Sequence, residues 1–343
     1  MRSWINGVKV NLAVTVLSPV KQTVILSEFV EEGRDMSTGD LCDEVAHLKA
    51  ACDAVILAHY YVPPEVQQIA DYVGDSFALA KLAATLSCHT LVFAGVRFMA
   101  ESAKLLSPEK TVLMPDQTAD CPMAHMVKQE TVAAARAQYS EDLAVVCYVN
   151  STAEVKSWSD VCVTSSNAVK IVRALPQHTI LFIPDRHLGS YVAEQVPEKN
   201  IILNDGCCPI HHNISADEVR SLKAEYPDAP VLAHPECGPE VMALASFAGS
   251  TSQIIERAAA SQAHDYIILT VEGVRGELER QTAGSGKRFH FPSTRPLCPD
   301  MSRITTEKVA ACLREGTGEI GLPPAYIAKA ARCTLTRMLE LGR

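Results

Sequence analysis

The chain has 343 residues, of which 48% are hydrophobic, 21% charged and 6% aromatic. This supports packed cores over roughly two domains and excludes a disordered or collagen-like chain. Lys and Arg number 31 against 40 Asp and Glu, a net charge of −9 with histidine neutral. That is the wrong sign for a protein whose work is to coat nucleic acid or an anionic membrane.

Residues 1–40 read as an N-terminal extension, an extra strand or a loose arm. The stretch from Val8 to Leu26 is apolar in bulk but carries Lys9 and Lys21 and lacks a small-residue cleavage site, so it is not a secretory signal. No apolar run is long enough to span a bilayer. The expected location is the cytoplasm, with neither membrane nor nucleic acid as partner.

From residue 41 onward strands and helices alternate. An apolar run at Ala54–Ala58 leads to a turn at Pro63-Pro64 and a short helix. A brief strand follows near Tyr72-Val73, and a helix after Ser76 runs toward Leu86. Then come a strand at Leu91–Ala94, a helix around Phe98–Leu106 and a strand at Thr111–Met114. Apolar strands between helices of about ten residues predict a parallel sheet covered on both faces.

The same pattern occurs three times. VILAHYYVPPEVQQIADYVGDSFALAKLA, AVVCYVNSTAEVKSWSDVCVTSSNAVKIV and PVLAHPECGPEVMALASFAGSTSQIIERA align without gaps. His59, Tyr148 and His234 coincide, 89 and then 86 residues apart. Glu65, Glu154 and Glu240 coincide, as do Ser76, Ser165 and Thr251. The later half of each unit also matches and ends in Cys-Pro, at Cys121, Cys208 and Cys298. The expected fold is α/β: three related three-layer α/β/α units with short parallel sheets, at residues 41–124, 125–210 and 211–299. A C-terminal helical tail, 300–343, is expected to pack on the first unit.

In open α/β sheets ligands collect beyond the carboxyl ends of the strands, where every matched polar position falls. Inward packing of those ends would give one cavity holding a cysteine, a hydroxyl-led helix start and a His or Tyr from each unit. Twelve cysteines in a chain expected to be cytosolic point to buried thiols or metal ligands rather than disulfides. Three convergent thiols and no Cys-x-x-Cys pair argue against a closed zinc site and for a site with an open metal position. A 4Fe–4S cluster on three cysteines is such a site. The other reading is that they are core residues inherited through duplication.

Ser76, Ser165 and Thr251 read as helix N-caps that would also receive carboxylate or phosphate. Glu236, in a partly dry cavity, is expected to have its pKa raised toward general acid–base use. Glu65, Glu154 and Glu240 read as structural, in first helical turns. GSGK at Gly284–Lys287 is too short to count as a phosphate loop, and no GxGxxG or Walker sequence is present.

The segments AHYYVPPEVQQIADYVGDS, GVRFMAESAKLLSPEKTVLMPD, YVNSTAEVK, TSSNA, PDRHLG, GCCPIH, HPECGPEV, GSTSQII and CPDM, in that order, resemble the quinolinate synthase family over roughly residues 50–343. The resemblance implies condensation of iminoaspartate with dihydroxyacetone phosphate to quinolinate, with loss of phosphate and two waters. It implies one 4Fe–4S cluster per chain, its open iron serving as Lewis acid in the dehydration, and an aspartate-oxidising enzyme as imine donor. By motif, the cluster ligands would be Cys121, Cys208 and Cys298. Cys208 rather than Cys207 fits the family's Gly-x-Cys-x-x-His through Gly206 and His211. Substrate contacts would be His59, Tyr61, Ser76, Tyr148, Asn150, Ser165, His211, His234, Glu236 and Thr251, with Glu236, Tyr61 and His234 as catalytic candidates. Val62 stands where the family often has a polar residue. Competing readings are an aconitase-like iron–sulfur hydro-lyase on another dicarboxylate and a non-enzymatic metal- or ligand-binding protein.

Overall fold

The computed structural model describes residues 4–5, 8–9 and 38–342. Two compact units divide the chain, residues 1–40 and 41–343. In the first, β1 (Trp4–Ile5) pairs antiparallel with β2 (Val8–Lys9). The rest of the predicted arm, up to residue 37, lies outside the described residues.

After α1 (Thr38–Ala51), β3 (Ala54–His59), α2 (Pro64–Ile69), β4 (Tyr72–Gly74), α3 (Ser76–Thr85), β5 (Thr90–Ala94), α4 (Arg97–Leu106) and β6 (Thr111–Leu113) make the first unit. α5 (Gln129–Tyr139), β7 (Leu143–Tyr148), α6 (Ala153–Ser157), β8 (Val161–Val163), α7 (Ala168–Ala174), β9 (Thr179–Ile183), α8 (Arg186–Gln195) and β10 (Asn200–Leu203) make the second. The short α9 (Pro209–His212) and α10 (Ala216–Glu225) lead into the third: β11 (Val231–Ala233), α11 (Pro239–Met242), β12 (Phe247–Ala248), α12 (Thr251–Ala260), β13 (Asp265–Leu269), α13 (Arg275–Gln281) and β14 (Arg288–His290). The tail is α14 (Thr306–Glu315) and α15 (Ala325–Leu341).

The sheet of each α/β unit has four parallel strands in one spatial order: second, first, third, fourth. The predicted repeat is therefore a repeat of topology. The central strands β5, β7 and β9 are buried at every position, as continuous apolar runs in a doubly covered sheet must be. The third sheet shows both faces: Tyr266 and Ile268 join one apolar cluster, while Ile267 and Leu269 join another, the period of two that strand geometry imposes.

The tail departs from expectation. α14 packs against α2 and β5 of the first unit, but α15 lies chiefly over α6 and β8 of the second, reaching α4 as well. Its buried residues, Ile327, Ala331, Thr334, Leu335 and Met338, recur at helical spacing. That stripe fits the groove between the two units better than the first unit alone. No helix among the described residues is long and apolar enough to cross a membrane.

Candidate active site

The first strand of each unit ends on the residue that the repeat singled out. His59 and Tyr148 are the last residues of β3 and β7, and His234 follows β11 directly. These ends face one cavity of roughly 110 Å³, lined from all three units. That size suits small metabolites. Every site residue predicted from the sequence lines it, including Cys121, Cys208 and Cys298. Cys207 is not among the lining residues.

Each Cys-Pro places the cysteine before a helical turn. Pro122 and Pro209 open the turns Pro122–His125 and Pro209–His212, where a missing N–H costs nothing. Burial pushes all three thiols up, and the charges of Cys298 and Glu236 add to this at Cys121, as those of Glu236 and Cys121 do at Cys208. Backbone amides act the other way: Met123 and Ala124 at Cys121, His211 at Cys208, Met301 and Asp300 at Cys298. Ionising three buried thiols on the wall of one cavity calls for a cationic group there. Gly206 makes room for this geometry: a Cβ there would lie 2.6 Å from the carbonyl oxygen of Pro184. Asp185 fixes the same segment, accepting from the amides of Leu188 and Cys208; burial first, then Glu236, raises its pKa to about 8.

A buried polar network reaches Cys208. Tyr61 Oη is 2.7 Å from both Thr251 Oγ1 and Thr270 Oγ1. His211 Nε2 is 2.9 Å from Thr270 Oγ1, and His211 Nδ1 is 2.7 Å from Glu236 Oε2. The same Nδ1 is 3.3 Å from Cys208 Sγ. His234 Nε2 is 3.2 Å from Ser165 Oγ. Thr270 joins Tyr61 to His211 and was not foreseen: Gly95 and Pro184 hold its place in the other repeats, so self-similarity gave no signal.

Two expectations are corrected. The helix caps are Asp75 for α3, Asn167 for α7 and Ser250 for α12, not the predicted hydroxyls. Asp75 accepts from Ala78 N, and Ser250 forms a capping box with Gln253. Ser76 and Thr251 are thus first helical residues and Ser165 lies two before its cap, which leaves all three hydroxyls facing the cavity. Second, Glu236 is not raised. Burial alone would raise it, but the His211 and His234 imidazoles and hydrogen bonds from His211 and Tyr148 hold it below the ordinary carboxylate range. Glu65, Glu154 and Glu240 do sit in first helical turns.

His59, His234, Tyr61 and Tyr148 favour their neutral forms. Burial lowers His59 to about 4 and His234 to about 3. Burial, with Glu236 nearby, drives the Tyr61 and Tyr148 phenols up. These four side chains therefore offer hydrogen bonds without charge near the Glu236 carboxylate. Asn150 Oδ1 and Glu236 Oε1 are buried without a hydrogen-bond partner in the protein, and such atoms call for a ligand.

Fold and cavity together define a class: a triplicated α/β enzyme with a thiol-lined central cavity compatible with an iron–sulfur site. The family model described as Quinolinate synthetase A protein matches residues 43–340. The quinolinate synthase of Fusobacterium nucleatum is 48% identical over 300 residues, 88% of this chain and 99% of the relative. That of Clostridioides difficile is 46% identical over 296 residues, 86% and 96% of the two chains. That of Aquifex aeolicus is 44% identical over 308 residues, 88% and 94%.

The chain belongs to the quinolinate synthase family, an iron–sulfur family of enzymes in NAD biosynthesis.

Proposed function

We propose that the chain condenses iminoaspartate with dihydroxyacetone phosphate to form quinolinate, releasing phosphate and two waters, as a transferase-type synthase in the cytoplasm. The reading rests above all on one juxtaposition: three Cys-Pro thiols, one per unit, on the wall of a cavity that also receives Ser76, Ser165 and Thr251. Cys121, Cys208 and Cys298 would hold one 4Fe–4S cluster per chain. The donor set fits, since backbone amides offset part of the cost of ionising these buried thiols and a cationic group would supply the rest. When bound, the cluster supplies Lewis acidity at its open iron.

The protein's own groups do the rest. The hydroxyls Ser76, Ser165 and Thr251, beside helix starts, receive the carboxylates and phosphate of small anionic substrates. Neutral His59, His234, Tyr148 and Asn150 orient them through hydrogen bonds. Tyr61, kept protonated, donates to oxyanions as they form. Glu236, kept ionised, accepts a proton, and His211 carries it toward Thr270 and Tyr61 along the bonded chain. Enclosure shields a hydrolysable imine from bulk water. An aspartate-oxidising enzyme would supply that imine.

The test is anaerobic purification followed by iron analysis and a quinolinate assay. The expected result is a brown protein with about four iron per chain that forms quinolinate only when both substrates are present. Cys208→Ser should lose the cluster and Cys207→Ser should keep it. Stoichiometric zinc without iron, held for instance by the close group Cys208, His211 and Glu236, would overturn the reading.

A further inference from the structure

Cys207 is not among the residues that line the cavity with Cys208, and two histidines lie beside it. His187 lies in the first turn of α8 and His212 at the end of α9. Their rings are 19° from parallel with centroids 5.0 Å apart, and His187 Nε2 is 2.9 Å from His212 Nδ1. One ligand atom from each of His187, Cys207 and His212 lies within 4.8 Å of the others. Twenty residues of sequence separate His187 from Cys207, so the fold, not a local turn, assembles the group.

We propose that His187, Cys207 and His212 form a second metal site, distinct from the thiols of the cavity, which takes a zinc-like divalent cation and leaves a fourth position to water. Two imidazoles and a thiolate are the donor set that a borderline-soft cation prefers. With Zn–N near 2.0 Å and Zn–S near 2.3 Å, tetrahedral ligand atoms sit roughly 3.3–3.6 Å apart. The two nitrogens must therefore open by about half an ångström and the sulfur close by at most about 1.3 Å. His212 is exposed and Cys207 half-buried, so side-chain rotation achieves this without moving α8, and the cation has an open route in. Arg186, a cation near Cys207, is engaged by Asp205 at 2.6 Å. Binding exchanges the thiol proton of Cys207 for the metal. Any imidazole proton that faced the other ring moves to that ring's second nitrogen, so one proton leaves per cation.

The test uses the full chain with its cluster in place, prepared anaerobically and freed of loose metal. Zinc chloride is added, and the protein is desalted and analysed for zinc and iron, with zinc-edge X-ray absorption on the product. The expected result is one zinc per chain, one sulfur among its ligands and undiminished iron. His212→Ala and Cys207→Ser should each raise the zinc dissociation constant by at least about tenfold, and Cys207→Ser should remove the sulfur from the absorption fit. His212 is at the surface, so His212→Ala reports on binding without threatening the fold. Zinc uptake that is absent in the unsubstituted chain, undiminished in the two variants, or gained only as iron is lost would overturn the site. None of these readouts depends on quinolinate formation.

Discussion

Glu236 is 3% exposed, yet His211 and Tyr148 keep it ionised. A buried carboxylate with one oxygen bonded and the other unpartnered is set to accept a proton rather than to give one. Glu236→Gln preserves shape and removes that capacity. We expect turnover to fall by about 10²–10⁴-fold, with iron content and far-ultraviolet dichroism unchanged. A variant working at the normal rate would remove Glu236 from the chemistry. The motif His-Pro-Glu-Cys marks the residue and one partner, His234, but the direction of its pKa also depends on His211, 25 residues earlier, and on Tyr148 from the second unit. Burial is foreseeable from an apolar context; the partners that outweigh it are tertiary. Thr270 was illegible for a related reason, since the position is a link only in this unit.

Among the elements, the sequence-predicted strands and helices of the first unit fall within a residue or two of those found, because apolar period and turn chemistry are local. Caps are less legible, because two adjacent polar residues compete for the place. In Asp75-Ser76 and Ser250-Thr251 the first of the pair takes the cap and the second faces the cavity. Asp75 has a further tie, accepting at 2.8 Å from Ser252 Oγ on α12, so it couples the helix starts of the first and third units. Asp75→Ala should lower unfolding free energy by about 1 kcal/mol for the cap, and further for the lost tie. Ser76→Ala should leave stability nearly unchanged while weakening substrate binding. Denaturant midpoints separate the two. A larger stability loss in Ser76→Ala than in Asp75→Ala would restore Ser76 as the cap.

At the scale of the molecule, convergence of three sheet ends sets up a pH-dependent stability. The repeat made that convergence legible. It could not show how dry the cavity is, which depends on walls such as Val96, Phe98, Val271 and Met301 from separate segments. Dryness lowers His59 to about 4 and His234 to about 3 from the ordinary 6.5. Between those values the unfolded chain binds protons that the folded chain refuses, so stability rises with pH there. It is fully present above about pH 6.5 and is lost as pH falls toward about 4, by up to about 3 kcal/mol for each histidine. Glu236 acts in a lower window: with its folded pKa depressed, its contribution holds above about pH 4.5 and is lost only as pH falls further. Urea unfolding from pH 7.5 to pH 5, stepped through the histidine window alone, should therefore show a falling midpoint. His59→Gln, which cannot take up a proton in the unfolded chain, should flatten that fall. A wild-type midpoint constant across the range would mean that water reaches these imidazoles, and the picture of three strand ends closing on a dry centre would go with it.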